Sequence, residues 1–163
     1  MEILKTKGIC LEPIIGFTKT VSSIVQIKRE MDRMITTLRK YKIYHEGTAV
    51  SEVLRKNIEK KTIEMRAGVL ISDEEKGADF LEKNPQYKMF SFRINNGYKI
   101  SIDNSETQFK EAVLLFMEKQ NMTTDDINQY DLKNNPIIEV SHITHDGSVI
   151  GFDLYLEKKK EGD

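Results

Sequence analysis

Apolar side chains recur at three- and four-residue steps through Ile24, Ile27, Met31, Met34, Ile35, Leu38 and Tyr41, with lysine, arginine, glutamate and aspartate filling the positions between them. That period places one apolar stripe on a helix and predicts an amphipathic helix over Ile24 to Tyr44. Ser23 can accept a hydrogen bond from the Gln26 amide while the Gln26 side chain reaches back, and Gly47 offers a stop just beyond. The same grammar returns at Ser105 and Gln108, followed by Phe109, Ala112, Val113, Phe116 and Met117, which predicts a second helix. Methionines on these stripes (Met31, Met34, Met117) read as core fillers.

Strand patterns flank both helices. Gly8 to Val21 reads as one extended segment, which Pro13 confines to an edge or a bulge. Ala49 to Leu54 and Thr62 to Ile71 read as a pair, and Ile137 to Ile143 and Val149 to Leu156 as a hairpin around His145 to Ser148. Tyr87 to Asp103 alternates on both sides of Asn96-Gly97, which predicts another hairpin. A polar stretch from Ser72 to Pro85, with a short helix over Ala78 to Lys83, joins the halves.

The order strand, helix, strand, strand thus occurs twice. The expected fold is α+β: two β-α-β-β repeats with pseudo-two-fold symmetry, giving an antiparallel sheet with two long helices packed on one face. Repeat one covers about 1–72, a linker 73–86, repeat two about 87–157, and a disordered tail 158–163, all within one domain. A doubled fold of this kind creates a cleft where the halves meet.

Composition narrows the function classes. A chain of 163 residues can bury a sizeable core without staples. Its single cysteine, Cys10, has no internal partner and is expected to be a buried structural thiol in a reduced, cytoplasmic protein. The start of the chain lacks the long apolar core of a secretory signal, and no apolar run approaches the length of a membrane span. Lysine and arginine total 25 against 26 acidic residues, so nothing favours a nucleic-acid backbone as partner. His142, His145 and His45 invite a metal reading. Residues three apart on a strand point to opposite faces, however, so the expectation is hairpin-turn histidines and no metal. No nucleophile elbow or phosphate-cradling glycine loop occurs, and no cofactor is expected.

The doubled order, the hairpin expected before the second long helix and the segment Asn135-Pro136-Ile137-Ile138-Glu139-Val140 resemble the GyrI-like small-molecule-binding domains, and the alternating strand Ile150 to Leu156 fits the strand that ends such a domain. These occur alone or behind the DNA-binding parts of bacterial multidrug-responsive regulators. The resemblance implies an aromatic-lined cleft between the repeats with an acidic group that neutralises cationic, often hydrophobic, ligands. On that footing Glu139 is the leading acidic candidate, Glu52 its first-half counterpart, and Tyr98, Phe152 and Tyr155 the cleft aromatics. The chain has no tryptophan, which some members use in the pocket, and no spare length for a helix-turn-helix, so a complete one-component regulator is not expected.

Three readings follow. The first is a stand-alone binding protein for a small amphipathic, cationic molecule. The second is an interaction module on the same scaffold, with a protein partner and no small ligand. The third is a small hydrolase in which Glu139 activates water, since some relatives of this fold are hydrolases that use a glutamate; their catalytic set is not matched here residue by residue.

Overall fold

The computed structural model describes residues 3–6, 8–94, 97–103 and 137–157. Within them, strands β1 (Ile3–Thr6) and β2 (Ile9–Val21) lead into helix α1 (Ile24–Lys40). Strands β3 (His45–Asn57) and β4 (Thr62–Ile71) precede helix α2 (Glu74–Lys83). Strands β5 (Lys88–Ile94), β6 (Gly97–Asp103), β7 (Ile137–Ile143) and β8 (Val149–Glu157) follow. The second predicted long helix, starting at Ser105, lies outside the described residues, as does the 158–163 tail.

Helix α1 follows its sequence grammar with two adjustments. The Ser23 hydroxyl accepts from the Val25 amide at 3.3 Å, and Gln26 Oε1 accepts from the Ser22 amide at 2.9 Å, so the reciprocal cap is spread over two serines. The helix stops at Lys40 because Lys42 takes a left-handed φ of 59°, and the amides of Tyr41 and Ile43 both turn back to the Leu38 carbonyl. Gly47 instead serves β3, where its φ of +79° sits in a break of the β3–β4 register between His45 and Ala49. Helix α2 begins earlier than expected, since Asp73 caps it by accepting from the Lys76 amide at 3.0 Å.

The described strands form one antiparallel sheet in the order β1-β6-β8-β7-β3-β4-β2-β5. The halves meet at β3 and β7, where Val50 lies opposite Val140. Moving outward from that seam, β4, β2 and β5 on one side match β8, β6 and β1 on the other, which is the expected pseudo-two-fold arrangement.

The outermost strands overturn one expectation. β5 and β6 do not pair as a hairpin: β5 pairs with β2, whereas β6 lies between β1 and β8. The chain therefore passes from one half to the other between the end of β5 and the start of β6, and β1 makes the reciprocal crossing by pairing with β6 ahead of β2. Alternation specifies which side of a strand is apolar, but not which edge it joins. Pro13 follows a cis peptide bond and sits in the bulge where the β2–β5 register shifts between Leu11 and Ile14.

Helices α1 and α2 both lie on one face of the sheet. There Met34, Ile35 and Leu38 of α1 and Phe80 of α2 pack with Ile15, Phe17, Met65, Ala67, Val69 and Ile71. The other face carries its own core of Ile14, Val50, Phe92, Ile94, Ile138, Val140 and Tyr155. That cluster joins the edge strand β5 to β7 and β8, so the sheet curls and the face opposite α1 and α2 is concave. Gly16 and Gly68 are opposite each other on this concave face. A Cβ on Gly16 would stand 2.0 Å from the Ala67 carbonyl oxygen, and one on Gly68 2.5 Å from that of Ile15. Only glycine permits two backbones to approach this closely.

Candidate functional site

The five residues singled out from the sequence do not converge on one spot, because strand register distributes them over both faces. Glu52 pairs with Ile138, not with Glu139, so the two glutamates stand on neighbouring strands but opposite faces. They are therefore not counterparts under the pseudo-two-fold: stepping equally from Val50 and Val140 matches Glu52 with His142 and Glu139 with Ala49. Tyr155 also pairs with Ile138 and shares the concave face with Glu52. Phe152 pairs with Ser141 and shares the helix-bearing face with Glu139. Tyr98 holds a register position on β6 opposite Leu156.

On the helix-bearing face, Glu139 lies directly opposite Leu154 on β8, with Phe152 diagonal to it and Ser51 opposite on β3. Leu154 and Phe152 are buried. Among the described residues its hydrogen-bond partner is Ser141, whose hydroxyl donates to Glu139 Oε1 at 3.4 Å. No cation among them neutralises it. Burial pushes the Glu139 carboxyl above the usual carboxylate range, and the Ser141 hydrogen bond offsets this in part.

The concave face carries a transverse row in which Lys99, Tyr155, Ile138, Glu52, Arg66 and Thr18 follow one another across β6, β8, β7, β3, β4 and β2. With strands about 4.8 Å apart, Tyr155 and Glu52 are separated by about 10 Å of sheet, with Ile138 between them. Two acids of this face, Glu52 and Asp153, are held by the protein's own cations over aromatic rings. Glu52 Oε2 is 3.5 Å from Arg66 Nη2, and the Arg66 guanidinium lies 4.5 Å from the centre of Phe92 and 5.2 Å from that of Phe90. Asp153 Oδ2 is 3.7 Å from Lys99 Nζ, which lies 6.0 Å from the Tyr155 ring centre. His142 Nε2 also meets Asp153 at 3.0 Å. Burial raises the Glu52 pKa, with Arg66 pulling it partly back. Sequence reasoning missed Arg66, Phe90, Phe92, Lys99 and Asp153, since only register shows that these residues share one face with Glu52 and Tyr155.

The histidines separate. His142 stays with Asp153, while His45 and His145 meet at the C-terminal end of α1, beside Ile35, Leu38 and Arg39. His45 Nδ1 accepts from the Gly47 amide at 3.0 Å, and Nε2 faces the His145 carbonyl oxygen at 3.2 Å, which also accepts from Arg39. Nε2 must then carry the proton, and no lone pair is left for a metal. Cys10 corrects the buried-thiol expectation: it is exposed, with Arg93 Nη2 donating to its sulfur at 3.6 Å. Ile9 and Leu11 pack against the concave core, so period-two alternation turns the residue between them outward.

These features define an α+β protein of two interlocked halves, with a carboxylate on one face of the sheet that has no cationic partner among the described residues, and carboxylates paired with the protein's own cations on the other. No family model and no curated protein matches the chain. Among solved structures it is similar to SAV2435 bound to tetraphenylphosphonium, at 11% identity over 97% of this chain and 93% of that one, with a TM-score of 0.44. It is also similar to a bacterial transcription regulation protein from Staphylococcus aureus MU50, at 10% identity over 98% of this chain and 97% of that one, with a TM-score of 0.38. What those two proteins bind is a property of theirs, and the chemistry of this chain has to come from its own side chains. No helix among the described residues is long and apolar enough to cross a membrane.

Proposed function

We propose that this protein binds a small amphipathic organic cation through Glu139, on the helix-bearing face of the sheet. The observation that carries the reading is a largely buried carboxylate whose described partner is a single neutral hydroxyl, Ser141. A desolvated carboxylate without a cation is costly, and a bound cation removes that cost by restoring its charge partner. Phe152, diagonal to Glu139, offers a ring whose cation–π attraction is worth about 0.5–2 kcal/mol once desolvated. The resemblance to GyrI-like domains implies the same pairing of acid and aromatic groups.

A thermal-shift and calorimetry series with tetraphenylphosphonium, neutral triphenylphosphine oxide and anionic tetraphenylborate tests this. The wild type should be stabilised by the cation alone, and a ligand at a hundred times its Kd adds about 2.7 kcal/mol. Glu139→Gln should lose the effect and Glu52→Gln keep it. Equal stabilisation of wild type and Glu139→Gln would refute the role given to Glu139.

A protein-interaction reading draws on a different observation. Ile24 is 65%, Val25 55% and Ile58 88% exposed. The first two open α1 directly after β2, whose last residue, Val21, pairs with Ile63 beside the β3–β4 turn that holds Ile58. Topology thus gathers three bare apolar side chains at one end of the molecule, a composition suited to a protein contact. Absence of stabilisation by every ligand class in a folded wild type would favour this reading.

A further inference from the structure

One end of the molecule combines bare aliphatic side chains with unpaired cations. The β3–β4 turn projects beyond the end of β2, because Val21 closes β2 opposite Ile63 and the turn is reached only past the next pair, Asn57 with Thr62. Ile58 stands on this turn, and Ile24 and Val25 open α1 shortly after Val21, all three open to solvent. The cations are carried by the same elements. Lys28 and Arg29 follow Ile24 and Val25 by one helical turn and share their face of α1. Lys56, Lys60 and Lys61 flank Ile58 and are exposed.

None of these five cations has an acidic partner among the described residues. The nearby ion pairs are made by others: Arg55 with Glu64 at 3.8 Å, and Lys19 and Arg33 with Glu30 at 3.7 and 3.0 Å. Within the turn one acid, Glu59, stands against them. The whole chain carries a net charge of −1, so the rest of the molecule is net acidic and this end is its basic pole. The turn also holds a fixed shape. Asn57 Oδ1 accepts from the Lys60 amide at 3.0 Å, and Lys61 takes a left-handed φ of 52°. Glycine adopts that φ more easily, so lysine here keeps a charge at the tip against a backbone preference.

We propose that this end is a docking surface for an anionic phospholipid membrane, with Ile58, Ile24 and Val25 entering the headgroup boundary and the five cations lying on the phosphates. Lysine stems are long enough to leave their ammonium groups with the headgroups while the branched carbons beside them leave water. Both signals are needed, because a few aliphatic carbons or a few cations alone hold a protein only weakly. A nucleic-acid backbone would use the cations but leave the aliphatic side chains in water, and residues 22–30 and 55–62 hold no aromatic ring on which a base could stack. A protein contact seals an apolar centre behind a polar rim, whereas Ile58 sits on a projecting tip with lysines on both sides. The same end that a protein contact would use is thereby assigned to lipid, and the attachment does not depend on Glu139.

The test is sedimentation of the full chain with vesicles of phosphatidylcholine, alone or with about 30% phosphatidylserine. The wild type should bind the mixed vesicles at least about tenfold more strongly than the neutral ones at about 0.1 M salt, and about 0.5 M salt should remove the difference. Ile58→Ser and Lys60→Glu/Lys61→Glu should each lower binding at least about tenfold; these positions are exposed, so the core is spared. Ile150→Ser, at another bare isoleucine, should leave binding unchanged, as should Glu139→Gln, which separates this surface from the ligand reading. The chain has no tryptophan, so Ile58→Trp supplies a single reporter whose emission should move to the blue on the mixed vesicles and be quenched by brominated lipid. A folded wild type that ignores the mixed vesicles, or an Ile58→Trp emission that they leave unchanged, would overturn the proposal. Duplex DNA bound as tightly as the vesicles, and no more weakly by Ile58→Ser, would overturn it in favour of nucleic acid.

Discussion

Replacing Glu139 by glutamine isolates the cost of an ionised carboxylate in this fold, because the two side chains differ little in shape and the substituted amide can still meet Ser141. Burial raises the folded-state pKa of Glu139 above its ordinary value of 4.5. Between the unfolded and folded pKa values the folded protein holds a proton that the unfolded chain has released. Stability therefore falls as pH rises through that window, by at most about 1.4 kcal/mol per pH unit for one proton. Below pH 4.5 the penalty is absent; above the folded pKa it is complete and constant. Glutamine carries no such penalty. Glu139→Gln should match the wild type near about pH 4 and become the more stable protein as pH rises, with the difference levelling off above the folded pKa. Urea denaturation of both proteins at half-unit steps from about pH 4 to 8 measures it directly, since common contributions cancel in the difference. A difference that stays flat across the range, or a variant that loses stability as pH rises, would refute the account of Glu139 as a desolvated acid with no cationic partner among the described residues. A bound cation should reverse the trend, because it pairs with the ionised form: affinity should drop as pH falls through the folded pKa.

Other consequences are open to measurement. Gly68→Ala should destabilise the protein by about 3 kcal/mol or more in urea titration, since its Cβ meets backbone at 2.5 Å where relief requires the strands to part. Phe80→Ala, which empties a fully buried position between α2 and the sheet, should cost about 3–5 kcal/mol. Tyr87, whose hydroxyl donates to Glu30 at 3.1 Å, has its pKa pushed up to about 12 by burial and then by the Glu30 charge. Tyr87→Phe should cost about 1.5–3 kcal/mol and remove a step near pH 12 from an ultraviolet titration of the tyrosines. Lys42→Gly should stabilise the protein by about 0.5–1 kcal/mol in the same urea assay, because a left-handed φ of 59° penalises a side chain bearing a Cβ.

Several features were legible in the residues themselves because their causes are local. The period of Ile27, Met34, Ile35 and Leu38 fixed both the existence of α1 and its buried face. Turn chemistry around Gly147, with φ of +91°, set the β7–β8 hairpin, and Pro13 marked an irregularity in β2. The doubled order of elements foretold the two related halves. Glu52, Glu139, Phe152 and Tyr155 could be picked as chemically apt, but not assembled.

How these parts combine was settled at the level of the whole sheet. Period-two alternation divides a strand into two sides without saying which strand lies beside it, so the crossing of β1 and β5 into opposite halves left no local mark. A register in which Glu52 meets Ile138, and not Glu139, placed the two glutamates on opposite faces. The concave face drew Arg66 of β4 and Phe90 and Phe92 of β5 together beside Glu52 of β3. The order of residues thus dictates which side chains want burial and which short segments bend or cap, because those preferences act over a few residues. The choice of strand partners and the meeting of charge with aromatic ring depend on long-range pairing, whose outcome is reached only when the sheet closes on its two cores.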